Sequence, residues 1–307
     1  MKRSLLFFLI LICITTAKSS NIEQDTLNWR DYWLLQGKVY LHLSQGAQIN
    51  WAKGGDNIFS SLIKTQFKTK YKKNKQIWDN TFNWNYGFLL VGVKEEQKVE
   101  KRNSDDYIEI NSSYGYNAKG KFYYNALFNF KSQFFKGYKY PNDSVVVSNL
   151  LSPAYIIFSA GMIYKPSEAL SVMVSPLTSK TTMVIKEGMV DGTQYGLKED
   201  DRIYKEVGAY ITINYKTDIV KNIKLENELT LFSNYQYKPE NIDVELKSDF
   251  NFIINKNIKA LLSLHFIYDD DAKIPVNKFV NDKYTQVGYT KGLQFQEKIM
   301  LGIGIDF

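Results

Sequence analysis

The C-terminal stretch Leu293-Gln294-Phe295-Gln296-Glu297-Lys298-Ile299-Met300-Leu301-Gly302-Ile303-Gly304-Ile305-Asp306-Phe307 decides the fold. Its odd positions are leucine, isoleucine and phenylalanine apart from Glu297, and its even positions are polar or glycine apart from Met300. Side chains alternate across a β-strand, so this segment presents one apolar face and one polar face. The same period of two runs through Val39, Leu41, Leu43, Ala47, Ile49 and Trp51, set against Lys38, His42, Ser44, Gln48 and Asn50. It returns in Phe82, Trp84, Tyr86 and Phe88, set against Thr81, Asn83, Asn85 and Gly87.

Followed along the chain, the pattern predicts twelve strands, at about 38–51, 58–71, 76–91, 107–116, 122–131, 155–164, 170–178, 206–215, 223–234, 242–254, 258–268 and 293–307. Most are long enough to cross a bilayer as tilted strands, which takes about 9–11 residues. The connections alternate in length. Lys72–Lys75, Asn117–Lys121, Lys165–Ala169, Lys216–Asn222 and Asn255–Asn257 are short, whereas 132–154, 179–205 and 269–292 are long. A soluble β-sandwich would also alternate but has no reason to sort its loops by length. The expected fold is all-β: an antiparallel transmembrane β-barrel with short periplasmic turns and longer extracellular loops. That topology places Tyr71, Trp78, Tyr116, Phe122, Tyr164, Tyr215 and Phe307 beside the periplasmic turns on the outward face, as an interfacial aromatic girdle.

The mean hydropathy of −0.31 resembles that of a soluble chain. Beyond the N-terminus no run reaches the 18 or so apolar residues of a membrane helix, whereas barrel strands average to such a value. Lys2 and Arg3 precede the apolar run Leu5–Ile14 and then Thr15-Thr16-Ala17, the layout of a secretory signal peptide over 1–17. Residues 18–36 are then a periplasmic N-terminal segment and 37–307 the barrel. The one cysteine, Cys13, lies in the signal, so the mature chain is expected to have no disulfide and no thiolate metal site. The formal charge of +7 is not gathered into a basic tract, which argues against nucleic acid as a partner.

Function is expected on the inward face, because lumen residues set selectivity. Lys64 and Lys68 point inward from the second strand. Glu226, Glu228, Asp243, Glu245 and Asp249 point inward from the ninth and tenth, with Lys224 and Lys247 among them. Two readings stand: a basic wall opposing an acidic wall across the pore, or charges that pair and make a polar interior. His42 and His265 are both assigned inward, and a joint site requires them to meet. Asp269-Asp270-Asp271 opens a long loop and is a weak candidate for a cation. No G-x-S-x-G turn or other nucleophile motif is present, so no catalytic residues, enzyme activity or cofactor are expected. The loop 132–154 carries Phe134, Phe135, Val145, Val146, Val147, Leu150 and Leu151. That apolar content points either to docking into the lumen or to capture of an apolar ligand.

Several strings resemble a Bacteroidota outer-membrane family known as domain of unknown function 3078. They are Leu43-Ser44-Gln45, Asn50-Trp51-Ala52-Lys53-Gly54-Gly55-Asp56-Asn57, Trp84-Asn85-Tyr86-Gly87, Ser113-Tyr114-Gly115-Tyr116, Lys131-Ser132-Gln133-Phe134, Leu151-Ser152-Pro153-Ala154-Tyr155, Ser175-Pro176-Leu177-Thr178 and Tyr268-Asp269-Asp270-Asp271. The resemblance implies a barrel in the outer membrane of a Gram-negative bacterium and carries no activity with it. Phe307, with apolar residues at alternate positions before it, is similar to the C-terminal signal read by barrel-assembly machinery. The expected function is a pore or transporter for an unknown small solute through a polar lumen, amid outer-membrane lipids and lipopolysaccharide. The alternatives are a non-conducting barrel plugged by its own loops, or a transporter of hydrophobic solutes or lipids.

Overall fold

The computed structural model describes residues 29–46, 57–93, 98–138, 145–185, 190–198, 201–269, 274–280 and 283–307. The signal peptide over 1–17, the rest of the N-terminal segment up to residue 28, the string Trp51–Asp56, and Asp270 and Asp271 lie outside these residues. The chain divides into Met1–Asp31 and Tyr32–Phe307, and the second unit carries the barrel.

Its strands, in chain order, begin with β1 (Trp33–Gly46), β2 (Asn57–Lys73), β3 (Gln76–Val93), β4 (Lys98–Lys119) and β5 (Phe122–Ser132). There follow β6 (Gly137–Tyr138), β7 (Val146–Ser148), β8 (Ala154–Tyr164), β9 (Leu170–Met183), β10 (Ile203–Val220) and β11 (Ile223–Asn234). The last are β12 (Ile242–Ile253), β13 (Ile258–Tyr268), β14 (Ile274–Val280), β15 (Lys283–Thr290) and β16 (Gln294–Asp306). Twelve of them close into one antiparallel barrel in the order β1-β16-β13-β12-β11-β10-β9-β8-β5-β4-β3-β2. The hairpins β6–β7 and β14–β15 stand apart from it.

Closure joins β1 to β16, in a register running from Lys38 opposite Asp306 to Leu43 opposite Leu301. The ladder continues to the last residue: the Phe307 amide donates to the Gly37 carbonyl (2.9 Å), and the Gly37 amide to that of Phe307 (2.6 Å). The Phe307 ring covers Gly37, where a Cβ would sit 2.4 Å from it, and meets the Phe67 ring at 6.2 Å. A glycine at that position lets an aromatic ring seal the seam.

At one end the turns are short, and the left-handed conformations they need fall on Asn74 (φ 54°), Gly120 (φ 59°) and Asn222 (φ 68°). The other end carries the long excursions. The outward positions of β16 are apolar and exposed: Ile299 is 72% accessible, and Leu301, Ile303 and Ile305 exceed 50%. A closed barrel with a bare aliphatic exterior satisfies its backbone internally and needs lipid around it. Of the expected girdle, Trp78, Tyr116, Phe122, Tyr164, Tyr215 and Phe307 are exposed, and Phe122 stacks on Tyr164 at 4.7 Å. Tyr71 packs against Trp33 (5.1 Å), which in turn meets Trp78 (6.0 Å).

Three boundaries differ from the sequence reading. The first strand begins at Trp33, so residues 33–36, expected in the periplasmic N-terminal segment, belong to the ladder with β2. The fourth starts at Lys98, because polar residues 98–106 continue the pairing with β3 above the apolar belt. Residues 269–292, expected as a loop, contain the β14–β15 hairpin. Inside the wall, Pro176 cannot donate to a ladder, and the registers of β9 with both β8 and β10 shift there.

Candidate functional site

Twelve strands ~4.8 Å apart and tilted by ~40° enclose a backbone cylinder about 24 Å across. Long side chains from opposite walls therefore meet near the axis. Lys298 on β16 bonds Asp105 on β4, although β1, β2 and β3 separate those strands around the wall. That contact crosses the interior. It fixes the lumen side of both strands, and by register the lumen side of the rest.

Near the short turns, the Lys216 Nζ lies 2.7 Å from Glu226 Oε2. The charges of Lys68 and Lys38 face the same carboxylate from β2 and β1. Asp79 pairs with Lys165 at 3.2 Å, and Asp306 is held by Lys259 and by the Tyr40 hydroxyl (2.7 Å). At mid-height Lys64 faces Asp249 and Asp105, while the Ser263 hydroxyl donates to Asp249 at 2.6 Å. An amide chain lines the same level: Gln66 donates to Asn83 (2.8 Å), and Asn83 and Asn129 each donate to Glu109 (3.1 Å).

Toward the long loops, Glu245 contacts His265 Nε2 at 2.8 Å and Lys247 at 2.9 Å, and Glu228 faces Lys247 and Lys131. Lys180 reaches Asp243 (3.2 Å) and Glu206 (3.4 Å), and Glu206 also accepts from Asn234 (3.1 Å). Lys64 and Lys68 thus do oppose acids of β11 and β12. Glu226 already holds Lys216, Glu245 holds Lys247 and His265, and Asp249 accepts from Ser263, so the lumen is an interleaved lattice of polar pairs and not two bare walls of opposite sign. Of the lysines read with those acids, Lys224 lies 3.9 Å from Asp218 close to the turn end of the barrel.

The histidines do not meet. His42 pairs across the seam with Gly302 and packs its ring over it, whereas His265 pairs with Gln296, six residues farther along β16. At ~3.4 Å per residue that is about 20 Å. A joint site of His42 and His265 is excluded by this register. Among the described residues, no group of three or more His, Cys, Asp or Glu side chains is placed to hold a metal ion.

The apolar loop after β5 divides its residues between two surfaces. The backbone amides of Phe134 and Phe135 donate to the Asp106 carboxylate, at 3.2 Å and 2.6 Å, and Phe135 packs on the Tyr86 ring at 4.7 Å. Tyr86 lies on the lipid side of β3, so this part of the loop lies on the exterior. Val146 instead joins Val184, Val190 and Leu197, together with Tyr195 and the lumen-side Tyr204. The Tyr195 hydroxyl donates to the Val147 carbonyl (2.7 Å), and the Ile185 amide to that of Leu151 (3.2 Å). These contacts tie two loops into a cap at the long-loop mouth. Burial, with Asp191 close by, raises the Tyr195 hydroxyl above its ordinary value of 10, so it stays a donor at neutral pH.

The lumen also holds an apolar patch that the parity reading passed over. Leu127, Ile163 and Met173 pack with Tyr123 and Tyr210 on the inward faces of β5, β8, β9 and β10. The signal was available in the sequence: Tyr123, Leu127 and Ile163 occupy the same parity as Asn125, Lys131 and Ser159, so both faces of β5 and β8 carry apolar residues.

Fold and lumen together define a transmembrane β-barrel of the outer-membrane type, and an outer membrane is where it resides. Residues 43–138, about a third of the chain, match the model of a protein family of unknown function, DUF3078. No curated protein matches the sequence. Among solved structures, the COG4313 outer membrane channel from Pseudomonas putida F1 is 9% identical with a TM-score of 0.43, covering 94% of this chain and 100% of that one. The translocator domain of the autotransporter NalP from Neisseria meningitidis is 8% identical with a TM-score of 0.39, covering 99% and 96%. The anion-selective porin from Comamonas acidovorans is 9% identical with a TM-score of 0.30, covering 90% and 99%. Likeness at this level concerns the fold alone.

Proposed function

We propose that the protein is an outer-membrane pore or transporter for small polar solutes, which cross through the charged lumen. The observation that carries this reading is the continuity of polar groups along the interior. It runs from Lys216–Glu226 near the turns, through Lys298–Asp105, to Lys180–Asp243 near the mouth. Interleaved pairs leave neither sign dominant at mid-height, and the amides of Gln66, Asn83 and Asn129 offer exchangeable hydrogen bonds to a passing solute. Twelve strands leave a narrower bore than the 16–18 of large porins, so the solute is small. Outer-membrane lipids and lipopolysaccharide surround the apolar belt, and barrel-assembly machinery reads the strand that ends in Phe307. A Bacteroidota host follows from the motif resemblance alone.

Purified protein in planar bilayers is expected to give discrete conductance steps. The double variant Lys298→Met with Asp105→Asn removes the cross-lumen tie and is expected to enlarge them. A barrel that stays silent even after excision of the cap loops would overturn the pore reading and leave a self-plugged structural barrel.

A further inference from the structure

At the turn end of the lumen the balance of charge departs from the pairing seen elsewhere. Asp79 is taken by Lys165, Asp306 by Lys259 and Tyr40, and Asp218 by Lys224 at 3.9 Å. Glu226 is left facing three lysines, one of which, Lys38, it shares with Asp306. Lys216 is bonded to it at 2.7 Å, and Lys38 and Lys68 approach from the opposite wall. The charges of Lys216 and Lys38 both act on Lys68. These residues come from β1, β2, β10 and β11, so the cluster spans the lumen. By register all four lie within a few residues of the short turns: Lys68 is five before the end of β2, Glu226 three after the start of β11, and Lys38 opposite Asp306.

Neighbouring ammonium groups repel unless an anion lies between them, and Glu226 and Asp306 together cannot neutralise Lys216, Lys68, Lys38 and Lys259. We infer that Lys38, Lys68 and Lys216, with Glu226 as their fixed counter-charge, form a binding site for a small oxyanion, a phosphate or carboxylate group, at the periplasmic end of the lumen. Primary ammonium groups bind such oxygens through short charge-assisted hydrogen bonds, and three converging on one point favour a compact anion over an extended one. Glu226 holds Lys216 in place and caps the affinity, so an anion can leave as well as enter. The site deepens the pore reading by naming a substrate class and uses the same lumen geometry. Binding is nevertheless measured apart from conduction, so either can fail alone.

The test is calorimetric titration of the detergent-solubilised full barrel with inorganic phosphate at low ionic strength. Saturable binding with one site per chain is expected, weakened about tenfold by Lys68→Met and again by Lys216→Met, as loss of single charge-assisted bonds implies. Glu226→Gln is expected to tighten it, a gain that a merely misfolded variant would not show. Lys75→Met, in the exposed turn between β2 and β3, is the control and should bind as wild type. Heat-modifiable migration on gels checks that each variant is still a closed barrel. Absence of phosphate binding by the wild type, or binding that survives Lys68→Met with Lys216→Met, would overturn the proposal. Phosphate binding by a barrel that does not conduct would sustain the site while ending the pore reading.

Discussion

Ile299 lies near the middle of β16, on the outward face, and is 72% accessible in the isolated chain. If lipid covers that face, replacing Ile299 by arginine puts a guanidinium near the bilayer midplane. The cost there is ~2–4 kcal/mol, which is about 30- to 1000-fold in the folding equilibrium. The same substitution at Leu293, just beyond the strand on the same face, lies at the interface and is expected to cost ~0–1 kcal/mol. Gln296→Arg supplies the parity control, since Gln296 pairs with His265 and faces the lumen near Glu245. It should change stability by less than ~1 kcal/mol, because the charge meets carboxylates and water. Reversible urea unfolding in lipid vesicles, followed by tryptophan fluorescence, gives the three values. Equal costs at positions 299 and 296 would refute the assignment of odd residues of β16 to lipid, and with it the barrel's orientation in the membrane.

Two further perturbations test the interior and the cap. Lys180→Met withdraws the cation shared by Glu206 and Asp243, whose side chains are largely buried, and is expected to cost about 3 kcal/mol, read as a lowered urea midpoint. Tyr195→Phe removes the hydrogen bond to Val147, worth ~1 kcal/mol, and should speed proteolysis of the cap without altering the barrel midpoint. Since the folded Tyr195 hydroxyl titrates above its ordinary value of 10, its contribution is complete below pH 10. It is lost only as pH rises through the higher folded value, so wild-type cap proteolysis should accelerate in strong alkali and not near neutrality.

Strand parity made the barrel legible because its twelve apolar faces must meet lipid, and a one-residue slip would expose the wrong set. The segment 293–307 and its partners in β1 and β13 follow that rule almost residue by residue. Residues 98–106 escaped it because that part of β4 rises above the belt, where nothing requires alternation. The β14–β15 hairpin escaped for the same reason, although β-branched and aromatic residues on both sides of Asn281-Asp282 carried a hairpin signal. Inward charges such as Lys64 and Asp249 were assignable to the lumen by parity. Their partners were not, since Lys298 meets Asp105 only because a circular wall brings β16 opposite β4. Barrel closure decides such pairs, and no local spacing encodes it. The split of the apolar loop between the Tyr86 exterior and the Val184–Val190–Leu197 cap was hidden likewise, because it depends on Asp106 and on a second loop distant in sequence.

The mature chain is expected to lack cysteine, Cys13 being the only one in the sequence, which permits a direct test of the central claim of a water-accessible charged lumen inside a lipid-facing wall. Single cysteines at 63, 64, 65, 66, 67 and 68 of β2, in protein reconstituted into vesicles, are treated with a small membrane-impermeant thiol reagent. The alternation of β2 between lumen and lipid predicts labelling of Lys64→Cys, Gln66→Cys and Lys68→Cys and protection of Ile63→Cys, Thr65→Cys and Phe67→Cys. Uniform labelling, or protection of all six, would contradict it.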